Sequence, residues 1–174
     1  YLPRHKAIAK SALAFFNHLT YDDIFVMDSS PAVILGAVDY RKIRQLAVNV
    51  GNGHTLAVIF KEKLVEAIYE IHTGGIKLER FTEDLHRLAR GELSHEEALR
   101  SGGHGVFIRD QIKLEDSEIE DLFPMTVIGP NRHMIKSLNV KFVNPAGSMM
   151  MAGPIGLLRA YHELNDLEFI VSLY

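Results

Sequence analysis

Not one residue of the chain is a cysteine. That absence removes disulfides, thiolate metal sites, iron–sulfur clusters and cysteine nucleophiles from its chemistry. Long apolar runs are missing too. None approaches the roughly 20 residues that a membrane-crossing helix needs, and the basic opening Tyr1–Ser11 carries no signal-type apolar stretch. No membrane partner is expected, and a cytoplasmic location is the default. Excess charge of one sign is also lacking. A formal net charge of -3 and a pI near 6.3 give no basic field for a nucleic-acid backbone, so nucleic acid is not an expected partner. There is no internal repeat and no low-complexity tract. The chain opens on Tyr1 rather than Met, so further residues ahead of it are expected.

What is present is the balance of a folded protein. Apolar residues make up 47% and charged residues 24% of the 174, enough for one domain, or for one domain plus part of another. His5–Leu19 places Ile8, Ala12, Phe15, Phe16 and Leu19 at helical spacing, which predicts an amphipathic helix. Asp23–Met27 reads as a short strand. Asp28-Ser29-Ser30-Pro31 reads as a helix start capped by Ser30, with the helix running to about Ala37. The charged segment of Asp39, Arg41, Lys42 and Arg44 marks a boundary between residues 1–40 and residues 45–174.

Beyond it, Gln45–Val50, Thr55–Phe60 and Leu64–Ile71 are β-rich runs. Their connections, Gly51-Asn52-Gly53 and Lys61-Glu62-Lys63, are short enough to force antiparallel neighbours. Lys77–Arg90 predicts a helix with Leu78, Phe81, Leu85 and Leu88 on one stripe and Gly91 as its stop. Ser94–Arg100 predicts a second, opened by a capping box between Ser94 and Glu97. Ser101–Gly105 reads as a loop, and Lys113–Leu122 as an acidic connection with room for one helical turn. Met125–Gly129 and Val140–Val143 read as strands separated by a helix to about Ser137, and a last helix runs from Gly147 to about Leu164. The resulting order, β-β-β-α-β-α-β-α, predicts an α/β fold with a mixed sheet of ribonuclease H-like type.

The sharpest motif is Val48-Asn49-Val50-Gly51-Asn52-Gly53-His54-Thr55-Leu56. Two glycines in a tight hairpin allow positive φ and bring bare N–H groups close to an anion, with His54 and Thr55 adding donors at the rim. A plain turn would account for the same residues. Farther along, Gly129-Pro130-Asn131-Arg132 follows a strand, and Arg132 could meet a phosphate, stack on a base or serve as a surface charge.

In order along the chain, Phe25–Ala37 (FVMDSSPAVILGA), the hairpin, Met125–Pro130 (MTVIGP) and Met151–Gly156 (MAGPIG) resemble successive parts of the sugar kinase, heat-shock chaperone and actin superfamily. The strings VNVGNGHTLA, EIHTGG, SGGHG, VIGPNR and MMMAGPIGLL resemble more closely a prokaryotic family labelled as a pyruvate formate-lyase activating enzyme. The superfamily likeness implies an actin-like ATPase lobe. Residues 1–40 would be the tail of a first lobe and 45–174 a second. Asn49, Gly51, Asn52, Gly53, His54 and Thr55 would hold phosphate, and Gly129, Pro130, Asn131 and Arg132 would approach the nucleoside. The implied cofactor is ATP with Mg2+ and the implied partners are a nucleotide or phosphorylated small molecule, the missing N-terminal lobe and a second copy in a homo-oligomer. The implied reaction is phosphoryl transfer or ATP hydrolysis. Two positions depart from the pattern. Asn49 stands where an aspartate is usual and cannot supply its charge to a metal-bound water. Pro130 stands where a second glycine is usual and removes a backbone donor. The family label implies radical chemistry on a cysteine-bound cluster, which would need residues outside this segment.

Histidines offer a different chemistry. His54, His72 and His104 sit beside glycine or threonine, in segments that could converge above the strand ends. Their spacing matches no zinc motif, so no metal ligands are assigned and hydrogen-bonded loop histidines are expected, with a metal-dependent hydrolase as an alternative. Glu70 and His72 fall on one face of a strand and could act as acid and base or simply bond to each other. Gly103 and His104 lie in a glycine-rich loop that could form a lid. A non-catalytic binding or assembly module on the same fold is the remaining alternative.

Overall fold

A computed structural model describes residues 3–100, 102–109 and 112–167. Its centre is the antiparallel meander that the short turns dictate: β1 (Arg44–Val50), β2 (His54–Lys61) and β3 (Leu64–His72), with Val50 opposite Thr55 and His54 opposite His72. Side chains of a strand alternate between faces, and here both alternating sets are largely apolar. Leu46, Val48, Val50, Ala57, Ile59, Ala67, Tyr69 and Ile71 pack with Phe81, Leu85 and Leu88 of α3 (Leu78–Ala89). Ala47, Leu56, Val58 and Phe60 pack with Ile34 of α2 (Ser29–Ala37) and with Val38 just beyond it.

Two further strands extend the sheet beyond β1. β5 (Met125–Ile128) runs parallel to β1, and β6 (Val140–Phe142) parallel to β5. At the opposite edge β4 (Gly103–Ile108) pairs antiparallel with β3, giving the order β4-β3-β2-β1-β5-β6. Three antiparallel strands, with parallel strands added on the free side of the first, make the ribonuclease H-like arrangement expected from the sequence; β4 is an additional edge strand. The glycine–histidine string is therefore sheet and not a loop or lid. Gly103 is close-packed there, since a Cβ would lie 2.8 Å from the Ala98 carbonyl oxygen and 3.0 Å from that of Glu70.

The capping box forms as predicted, with Ser94 Oγ accepting from the Glu97 N–H at 3.2 Å and Glu97 accepting from the Ser94 N–H at 3.2 Å, and it opens α4 (His95–Arg100). A short α5 (Asp116–Glu120) occupies the acidic connection. Other expectations change. Of the expected strand Asp23–Met27, Asp23 ends a 3-10 turn and residues 24–27 form no strand, because among the described residues no neighbouring strand accepts their backbone hydrogen bonds. The cap of α2 is Asp28 rather than Ser30, and its carboxylate binds Arg4 at 2.6 Å and His5 at 3.0 Å. Between β5 and β6 the chain makes only a 3-10 turn, Arg132–Ile135, which is all that so short a connection holds.

The predicted N-terminal helix is α1 (Pro3–Phe15), but none of its residues is buried, and Ile8, Phe15 and Phe16 stay exposed. α6 (Ala152–Leu164) starts later than expected, after two 3-10 turns, and crosses α2 at very short range. Gly36 faces the carbonyl oxygen of Ala152 and Gly156 that of Ala32 so closely that neither position has space for a Cβ. Small residues spaced four apart on each helix, Ala32 and Gly36 against Ala152 and Gly156, are what permit the crossing. Arg159 locks it by donating to the carbonyls of Leu35 at 2.7 Å and Val38 at 3.0 Å. Those two carbonyls lie at the C-terminal end of α2, where a cation also suits the helix dipole.

Candidate functional site

The β1–β2 turn sits at the end of the sheet where β5 also finishes. Gly51 is needed for packing: a Cβ would lie 2.7 Å from the His54 carbonyl oxygen, to which the Gly51 N–H donates at 3.0 Å. Gly53 differs, because a Cβ there would meet nothing within 4 Å. Neither glycine has a left-handed φ, so the expected positive φ is not what the turn uses. Asn52 and Gly53 are exposed, and among the described residues their N–H groups donate to no acceptor. Two bare donors on an open turn, one with no side chain beside it, can receive an oxyanion.

The adjoining residues split into two sets. Thr55 is fully buried and shares a 3.0 Å hydrogen bond with the Thr73 hydroxyl, so it is not at the rim as expected. The cause is alternation: in β2 Thr55 faces α3 while His54 faces the opposite side. Asn49 is also buried, and its side chain donates to Ser30 Oγ at 3.2 Å, tying β1 to the start of α2. Both neighbours steady the turn from below.

Gly129 brings the β5 end against the turn. Its φ of 109° and its contact with the Val50 carbonyl oxygen leave no room for a side chain. Asn131 completes the junction: its N–H donates to the Val50 carbonyl and its side-chain amide to the Gly51 carbonyl, each at 3.0 Å. Arg132 turns away. It donates to the Val143 carbonyl at 2.9 Å and to Asn144 Oδ1 at 3.0 Å, and lies over the Phe142 ring, so its guanidinium fastens the end of β6.

Along the α2 face of the sheet runs an open groove of about 880 Å³. Leu56, Val58, Phe60 and Ile68 line it, together with His54, Glu70 and His104 and, from the α2 side, Asp28, Ser29 and Ser30. Sequence reasoning missed the contribution of residues 28–30, although their polar, helix-opening composition was in view. It also missed Asp84, which is buried against the Tyr69 hydroxyl at 2.9 Å and Arg80 at 3.1 Å. Burial and then that carboxylate push the Tyr69 phenol well above its ordinary pKa. This pair knits α3 to β3 on the far side of the sheet.

At the end of the groove the structure gathers His54, His72 and His104, whose ring centroids lie 4.9, 4.3 and 4.4 Å apart in pairs. The convergence that the sequence allowed is present, but the residues expected as hydrogen-bonded loop histidines lie on strands. Glu70 does not bond to His72 among the described residues.

A family model described as "Putative pyruvate format-lyase activating enzyme (DUF1786)" matches residues 1–134. No protein of curated function matches the sequence. Among solved structures, MreB5 of Spiroplasma citri bound to ADP is similar at 12% identity, over 95% of this chain and 67% of that one, with a TM-score of 0.48. MreB 5 of the same organism bound to AMPPNP is similar at 12% identity, over 95% of this chain and 66% of that one, also with a TM-score of 0.48.

Proposed function

The chain belongs to the family so described, and we propose that residues 45–174 form a nucleotide-binding lobe of actin-like type that captures phosphate oxygens on the tip of the β1–β2 hairpin. One observation carries this reading: among the described residues the N–H groups of Asn52 and Gly53 are unengaged on an exposed turn, and Asn131 hydrogen-bonds that turn to the Gly129 strand end. Phosphate would sit against Gly51, Asn52 and Gly53 with His54 beside it. The nucleoside would lie over Gly129, Pro130 and Asn131.

Residues 1–40 would close a first lobe outside this segment. The exposed Ile8 and Phe15 of α1, and Phe16 just beyond it, support this, because such a lobe would give them a surface to pack against. Turnover would require carboxylates from that lobe, since Asn49 is neutral and held by Ser30. Binding, with Mg2+ carried on the nucleotide, is what the present residues would supply.

Titration of ATP and magnesium into the intact protein by calorimetry tests the reading. Saturable heat is expected, and Gly53→Val should abolish it while leaving the thermal midpoint unchanged, because the new side chain enters open space. No heat at millimolar nucleotide would replace this reading with a module that uses the fold for partner binding or assembly.

A further inference from the structure

The geometry points to a transition-metal site: His54, His72 and His104 together bind one divalent ion of the zinc type, leaving a fourth coordination position open to the groove. The backbone explains why the three meet. His54 begins β2 and His72 ends β3, and the two are direct cross-strand partners. β4 pairs Gly105 with Glu70 but Gly103 with Ile71, so His104 is an extra, unpaired residue at a bulge. A bulge redirects the side chain of its extra residue, and here it brings the His104 ring against the other two. Gly105, with a φ of 132°, supplies the backbone conformation needed there.

The donor set suits such an ion. Each ring offers one nitrogen, and these nitrogens all lie within 4.8 Å of one another. Among the described residues none of the three rings makes a hydrogen bond, and none of those residues competes for the ring nitrogens. Three imidazoles form a typical site for zinc and its neighbours, and three protein ligands with one open position distinguish a reactive centre from a closed structural one. Nitrogens on a tetrahedral ion with bonds of about 2.0–2.1 Å stand roughly 3.4 Å apart. Rotation of the exposed His72 and His104 rings can close that gap without moving the strands.

The site requires no nucleotide, so it is tested separately from the phosphate reading. Untagged intact protein, stripped with a chelator, is titrated with Co2+ followed optically and with Zn2+ followed calorimetrically. One equivalent per chain is expected, with the visible absorption of a low-coordinate cobalt site that zinc displaces. His72→Ala and His104→Ala should each weaken binding at least tenfold, whereas His133→Ala, at an exposed position outside the cluster, should bind as the parent does. Affinity should also fall in acid, because protons compete with the ion for the same nitrogens. Failure to bind one equivalent, or equal binding by His72→Ala, His104→Ala and the parent, would overturn the assignment. Unchanged thermal midpoints of the metal-free variants would show that lost binding is not lost folding.

Discussion

The two faces of the sheet differ in how completely they are closed. On one, Phe81, Leu85 and Leu88 of α3, Ile119 of α5 and Leu122 just beyond it join the inward residues of β1–β3 in one continuous core. On the other, α2 and α6 cover only part, leaving a groove whose apolar floor ends in polar and imidazole groups. Both faces carry similar aliphatic residues, so composition alone does not tell them apart. Under the proposed reading the open face receives the ligand, and the closed face holds the strands beneath it in register.

Substitutions should separate the two. Leu85→Ala leaves a cavity on the closed face and should cost about 2–5 kcal/mol. Ile68→Thr on the groove floor, where the side chain is only half-buried, should cost less than about 1 kcal/mol. Denaturant midpoints on the two variants check this difference, and equal losses would mean that the groove is filled in solution. An intermediate effect is expected at the helix crossing. Gly156→Val drives a side chain into the Ala32 carbonyl and should cost about 1–3 kcal/mol, read by thermal melting, with the α2 side of the groove loosened as well.

The smallest effect concerns the link between α2 and β1. Arg41 beside Asp39 holds that carboxyl down to about 2, chiefly through hydrogen bonds and against the opposing effect of burial. Because the folded pKa lies below the unfolded value of about 3.8, the contribution is present above about pH 3.8 and is lost as pH falls through about 2. Arg41 is largely exposed, so solvent screening should keep the effect under about 1 kcal/mol. Melting of Asp39→Asn alongside the parent from pH 5 to pH 2 should show a gap that closes at the acid end.

How far the sequence revealed this depends on whether the deciding interaction was local. The meander, α3 and the Ser94 capping box are set by short turns, apolar periodicity and neighbouring residues, and all three were readable. β4 was not, because Gly103–Gly105 shows no strand alternation and pairs only where β3 offers a free edge. Asp23–Met27 failed in the opposite sense, having strand character and no partner strand among the described residues. The hairpin was legible as a motif, but the unequal roles of Gly51 and Gly53 depend on where the His54 carbonyl lies. The histidine cluster arises from strand register and a bulge, neither of which spacing along the chain expresses. Thr55 was expected at the rim and Arg132 was left between phosphate, base and surface, because residue type shows what a side chain can bond to and not which partner is near.

An oxyanion received on the open turn between β1 and β2 would contact its amides first, and amide chemical shifts report on that turn directly. In two-dimensional NMR of the intact protein titrated with ADP, the Asn52 and Gly53 amide resonances should move most, joined by Gly129 and Asn131. Saturable binding that leaves those amides in place and moves residues elsewhere would contradict that contact.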